Sequence, residues 1–283
     1  TVSPNTANLI AGQTQQFTVS GTDADGNTIT SLGTVAWSVT GGIGSINTSG
    51  LFTAGTPGTG TVVATVGLIS DASGTINVDA GPLATLTVAP DTTTVTADQT
   101  VQFTVSGRDA GGNPVSNMGT ITWSLTGSIG TINSSTGLFT ANTAGTGTVT
   151  ATSSVGGISD TSGTITVTAG ALASLTVSPD TATLTADQTQ AFTVTGKDAD
   201  GNAVTNLGTI TWSGGSGIGT INSGTGLFTA NTVGTGTVTA TSSVGGISDT
   251  SGTITVTAGA LASLTVSPDT ATLTADQTQA FTV

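Results

Sequence analysis

The amino-acid sequence predicts an all-β protein built from successive two-sheet sandwiches, and three observations carry that prediction. The first is composition. Of 283 residues 67 are threonine and 42 glycine, glutamate is absent, and Arg108 and Lys197 are the only basic side chains. Such a chain lacks the straight-chain residues that favour helices and is rich in a β-branched one that suits a pleated, half-buried strand. The second is alternation. Val101-Gln-Phe103-Thr-Val105, Ile121-Thr-Trp123-Ser-Leu125 and Thr164-Ile-Thr-Val-Thr168 switch between apolar and polar residues at every step, the period of strands with one buried face. The third is repetition. Phe17 recurs as Phe103, Phe192 and Phe281, Trp37 as Trp123 and Trp212, Phe52 as Phe139 and Phe228, and Pro4 as Pro90, Pro179 and Pro268. The prolines lie 86, 89 and 89 residues apart, too long for a solenoid coil or a propeller blade and long enough for a small domain with its own core.

In the second repeat the elements follow in order. Residues 84–89 alternate and stop at Pro90-Asp91, and residues 92–97 form a threonine-rich strand that ends before Asp98. Residues 100–107 carry Val101, Phe103 and Val105 on one face and run into the turn residues Asp109 to Asn113. Residues 120–126 place Ile121, Trp123 and Leu125 inward, and residues 137–141 supply Leu138-Phe139 after Gly137. Residues 147–153 and 163–168 complete the set, separated by Gly156-Gly157. Seven short strands with Gly, Asn, Asp and Ser turns between them are the number a sandwich of two sheets requires. The boundaries fall in small residues at Ala80–Pro82, Ala169–Ala171 and Ala258–Ala260. This gives domains at 1–80 (its opening strand truncated), 81–169 and 170–258, with 259–283 as a partial fourth repeat. Residues 145–194 and 234–283 are identical at all 50 positions.

Several side chains invite a functional reading. Phe17, Trp37, Phe52, Phe103, Trp123, Phe139, Phe192, Trp212 and Phe228 are the candidate structural core, because they fall in register with the apolar members of alternating strands; a sugar-stacking platform is the rival use of the same rings. Asp23-Ala-Asp25-Gly26-Asn27 and Asp198-Ala-Asp200-Gly201-Asn202 match the opening of a calcium loop. Asp23, Asp25, Asn27, Asp198, Asp200 and Asn202 are therefore candidate ligands, although no glutamate can close such a loop and Asp-Gly is also an ordinary turn dipeptide. The second repeat reads Asp109-Ala-Gly-Gly-Asn113, with one carboxylate fewer. Asp71, Asp160 and Asp249 are expected to form turns before the last strand, and Arg108 and Lys197 to screen neighbouring carboxylates. Gly214 stands where the earlier repeats have Val39 and Leu125, so the third repeat is expected to have a shortened third strand and the lowest stability.

The ordered set Leu86-Thr-Val-Ala-Pro90, Gln99-Thr-Val-Gln-Phe103, Asp109-Ala-Gly-Gly-Asn113, Ile121-Thr-Trp-Ser124, Gly137-Leu-Phe-Thr-Ala141, Gly145-Thr-Gly-Thr-Val149 and Ile165-Thr-Val167 resembles the bacterial immunoglobulin-like group 2 repeats, and it returns in every full repeat. The resemblance implies tandem immunoglobulin-like β-sandwiches arranged as an extended rod. It also implies a role as a stalk module of the kind found in intimin- and invasin-like adhesins.

Composition removes most other functions. Cysteine and histidine are absent, which excludes disulfides, thiol chemistry and most zinc sites. A formal net charge of −13 opposes a phosphate backbone, so nucleic acid is not a partner. With no histidine, cysteine, tyrosine or glutamate, serine has no activating base and no enzyme is expected. No cofactor is expected, and no segment is apolar enough to enter a membrane. The sequence therefore points to a non-catalytic segment of a long extracellular fibre or cell-surface adhesin stalk, a semi-rigid spacer whose partners are neighbouring repeats and copies of itself. Two alternatives stand beside it: a filament subunit that polymerises by strand exchange between its incomplete terminal repeats, and a carbohydrate-binding module.

Overall fold

A computed structural model describes all 283 residues and contains strands and no helix. The chain divides into two compact units, Thr1–Thr168 and Ala169–Val283. The first unit holds two apolar cores, one around Phe17, Ile43, Phe52, Val62 and Ile76, the other around Phe103, Trp123, Phe139, Val149 and Ile165. The second unit holds one, around Phe192, Trp212, Phe228, Val238 and Ile254.

The second repeat shows how a threonine-rich sequence closes around so few large side chains. The strand Leu83–Ala89 pairs antiparallel with Thr104–Asp109, which pairs with Pro114–Val115. Thr93–Thr96 runs parallel to Ile165–Thr168, and that strand pairs antiparallel with the start of Gly145–Ser153. Gly145–Ser153 continues between Ile121–Thr126 on one side and Ser159–Thr161 on the other. A third small sheet joins Thr100–Gln102, Leu138–Ala141 and Gly130–Ile132. Along Gly145–Ser153 the residues Val149 and Ala151 are buried while Thr148, Thr150 and Thr152 face outward, half-buried. Outward threonines pair through their hydroxyls, Thr126 with Thr148 at 2.7 Å and Thr150 with Thr161 at 2.8 Å, a cross-strand contact of the kind that supports sheets.

The strand prediction needs two corrections. The expected strand at 100–107 is two strands in two different sheets, divided at Phe103. There the backbone N–H of Phe103 turns to donate to Gly137 O at 3.0 Å, so the chain crosses between sheets at a buried aromatic. Three short strands, Pro114–Val115, Gly130–Ile132 and Ser159–Thr161, lie in stretches that read as turns. Strands of two or three residues are too short to show a periodicity; sheet partners define them.

Aromatic burial follows from close glycine approach. Phe17, Phe52, Phe103, Phe139, Phe192 and Phe228 are at most 2% exposed, and Trp123 and Trp212 are 5% exposed. Phe103 meets Trp123 with ring centroids 6.5 Å apart and Phe139 edge-on at 6.4 Å. Gly137, at φ 73°, lets the backbone pass so near Trp123 that a Cβ there would lie 2.7 Å from the indole. Trp37 differs from its counterparts: it is half-buried at the margin of the first core.

In the third repeat the strand equivalent to Ile121–Thr126 is Ile210–Gly214, one residue shorter. Gly214 keeps its pairing with Val238 but has φ 101°, and Gly215 passes so close to the ring of Phe228 that a Cβ would sit 2.7 Å from it. The backbone at Gly214 thus enters the left-handed region at the position that Leu125 holds in the second repeat.

Candidate functional site

The chemistry-bearing side chains gather at two places in each repeat, and both are structural clasps. The first is the aspartate after Arg108 or Lys197. Asp109 is 4% exposed. Its Oδ1 accepts the backbone N–H of Asn113 at 2.8 Å, and its Oδ2 accepts the Asn113 side-chain amide at 3.0 Å. The same Oδ2 accepts the N–H of Gly81, in the joint between the first and second repeats, at 2.7 Å. Asp198 repeats the arrangement with Asn202 N at 2.7 Å, Asn202 Nδ2 at 2.9 Å and Gly170 N at 2.7 Å. Asp23 clasps Asn27 in the same way, at 2.8 Å and 3.0 Å, and is exposed. Asn113 Nδ2 reaches further, to Gly55 O of the first repeat at 3.2 Å.

These bonds all favour the ionised carboxylate. The Asn113 side-chain amide, opposed by burial and joined by the N–H groups of Gly81, Asn113 and Gly111, holds Asp109 below the ordinary aspartate range. At Asp198 burial is the largest influence and acts upward. The Asn202 amide and the N–H groups of Gly170, Asn202 and Asp200 together outweigh it, so the net direction is again down. Asp23 is lowered too, chiefly by the Asn27 side chain and backbone.

The six candidate calcium ligands are therefore brought together in two turns, Asp23 with Asn27 and Asp198 with Asn202, and one carboxylate of each is already engaged with donors. Asp25 and Asp200 are exposed. No three acidic side chains converge anywhere in the chain. Arg108 does not screen a carboxylate as expected: its Nη1 donates to Gly112 O at 2.6 Å, closing the same turn.

The second clasp ties the opening strand to the later strands. Asp160 lies within the strand Ser159–Thr161, and its Oδ2 accepts the N–H of Val88 at 2.7 Å. Asp71 does the same for Val2 at 2.6 Å and Asp249 for Val177 at 2.7 Å. The expectation that these three form turns is thus corrected: they are strand residues whose carboxylates secure the edge of another strand. Nearby, Asp91 accepts the N–H of Gly163 and Asp180 that of Gly252, each at 2.7 Å, and Asn5 takes that role for Gly74 at 2.8 Å. Ser162 Oγ accepts Val149 N–H at 3.0 Å and donates to Gly163 O at 2.9 Å. Sequence reasoning passed over Asp91 and Ser162; the recurring Pro-Asp and Ser-Gly dipeptides at Pro90-Asp91 and Ser162-Gly163 were the available signal.

The arrangement can bind backbone and stiffen corners; it presents no nucleophile beside a base. The profile of bacterial Ig-like domains (group 2) matches residues 1–76, 82–165 and 171–254. Among solved structures, one of FdeC, described as a broadly conserved Escherichia coli adhesin eliciting protection against urinary tract infections, is similar over 90% of this chain and 95% of its own, at 23% identity and a TM-score of 0.52. A structure of invasin, a bacterial integrin-binding protein, aligns over 88% of this chain and 57% of its own at 20% identity and a TM-score of 0.40. A search of curated protein sequences gave no match.

Proposed function

The chain belongs to the bacterial Ig-like (group 2) domain family, and from that premise we propose that it is a non-catalytic, semi-rigid spacer segment of an extracellular fibre or surface adhesin stalk. The observation that carries the reading is the aspartate clasp on the joint. Gly81 has no side chain to restrict it, yet its N–H is held by the buried Asp109 carboxylate, and Gly170 is held by Asp198. A charge-assisted hydrogen bond onto a linker glycine converts the most permissive residue of the joint into a fixed one. With domains taken to begin at 81 and 170, each of these two clasps falls at the start of the repeat it serves. The six buried phenylalanines and the two buried tryptophans are committed to cores, which counts against a stacking platform in the second and third repeats.

The test is small-angle scattering on the intact chain and on Asp109→Ala and Asp198→Ala variants. With each repeat advancing about 35–40 Å (strands of about seven residues at ~3.3 Å each, plus loops), the spacer reading expects a maximum dimension of at least about 100 Å for the three repeats and a broader distance distribution in the variants. A compact particle, or variants that scatter identically to the parent, would overturn it.

A further inference from the structure

Each full repeat ties its entry segment to its exit segment along one continuous line. In the second repeat Asp160 accepts the N–H of Val88 and Asp91 accepts the N–H of Gly163, both at 2.7 Å and both across 72 positions. The same offset continues as backbone pairing, from Thr93 with Ile165 to Thr96 with Thr168. The N–H of Ala97 then closes the line on Thr168 O at 2.9 Å. Residues 88–96 and 160–168 therefore lie side by side and run in the same direction. The third repeat builds the same line. Asp249 takes Val177 N–H and Asp180 takes Gly252 N–H, each at 2.7 Å, and Ala182–Thr185 runs parallel to Ile254–Thr257.

Backbone pairing alone would cover only the last part of each segment. Pro90 has no N–H to offer, and residues 90–92 and 162–164 belong to no strand. The two carboxylates carry the tie across that gap with charge-assisted hydrogen bonds, which are stronger than neutral ones. The line also has a particular place in the sheet. Thr93–Thr96 is an edge strand whose one sheet partner is Ile165–Thr168, and that partner is held on its other side by Gly145–Ser153. The exit strand is thus anchored in the sheet, and the entry strand is joined to that sheet through this line.

We infer that this line is a load-bearing clamp, with Asp91 and Asp160 in the second repeat and Asp180 and Asp249 in the third as the residues that extend it. Tension along the chain pulls the entry segment backward and the exit segment forward. Because the two segments are parallel, that pull slides one against the other and strains every tie at once. A pull on both segments from the same end would instead open the ties one after another. The clamp deepens the spacer reading and rests on it, since a stalk segment is the setting in which tension passes through each repeat.

The chain has no cysteine, so pulling handles can be attached at chosen pairs of introduced thiols on the intact chain. Thr87→Cys with Thr168→Cys loads the clamp of the second repeat in shear. Thr87→Cys with Ser159→Cys places both handles at the same end and peels the same ties apart. All three positions are exposed. Forced rupture follows the unfolding rate, and the shear force is expected to exceed the peel force by about twofold or more. Asp91→Ala/Asp160→Ala should lower that ratio by weakening the shear direction, and Asp91→Ala alone should lower it by less. Phe139→Ala, which weakens the core without touching the clamp, should lower both forces and keep the ratio. Equal forces in the two directions, or a ratio indifferent to the carboxylates, would overturn the clamp. Either result leaves the scattering test of the spacer untouched, and a compact particle in that test would remove the spacer while the force ratio stood.

Discussion

Replacing Phe139 with alanine isolates the contribution of one ring to one repeat. The side chain is fully buried and packs edge-on to Phe103 at 6.4 Å. Phe→Ala changes at such sites cost about 3–5 kcal/mol, the lost transfer energy plus the cavity left behind. A domain of about 85 residues holds roughly 4–13 kcal/mol in total, so the change removes between a quarter and all of the second repeat's stability. At a urea dependence of about 1.3 kcal/mol per molar, a loss of ~4 kcal/mol lowers the midpoint by about 3 M. Each full repeat has one tryptophan, Trp37, Trp123 and Trp212, so fluorescence in backgrounds retaining one tryptophan follows the repeats separately. The Trp123 signal should shift by that amount while the Trp37 and Trp212 signals stay within about 0.5 M of the parent. Equal shifts in all three, or none in the second, would refute the proposal that each repeat folds on its own aromatic core.

Three further outcomes follow from the clasps and glycines. Asp160→Ala should destabilise the second repeat by about 1.5–3 kcal/mol, the usual worth of a hydrogen bond to a charged group, and should speed hydrogen exchange at Val88; an unchanged rate there would remove the clasp. Asp109 and Asp198 have folded pKa values below their unfolded ones, so their contribution is complete above the unfolded value near 4 and is lost as pH falls through the folded value. A melting profile from pH 2 to 6 should decline at its acid end, and Asp109→Asn should flatten that decline in the second repeat; parallel profiles would argue against it. Gly214→Leu, which restores the residue type of the second repeat, should lower the third repeat's stability by about 1–3 kcal/mol, because the new Cβ meets Thr237 O at 2.6 Å from a backbone at φ 101°; a gain in midpoint would show that the backbone returns to the Leu125 path.

The sequence by itself determined the class of fold, the repeat length and the family. Alternation around Phe103, Trp123 and Ile165, spaced by turn residues and copied three times, leaves few other ways to bury so small an apolar complement. The tertiary structure decided what the isolated polar residues do. Asp160 reads as a turn former because its neighbours are serine, threonine and glycine; only the approach of Val88, 72 positions earlier in the chain, makes it a strand clasp. Asp109 reads as half of a cation loop, and only the return of the joint past it supplies the Gly81 N–H. Likewise Gly214 reads as a defect until its backbone is seen to take a different path. Local pattern reports periodicity and turn chemistry, which are properties of neighbours in sequence. A hydrogen bond between residues tens of positions apart has no local signature, so the partners of these carboxylates became visible only once the sheets had closed.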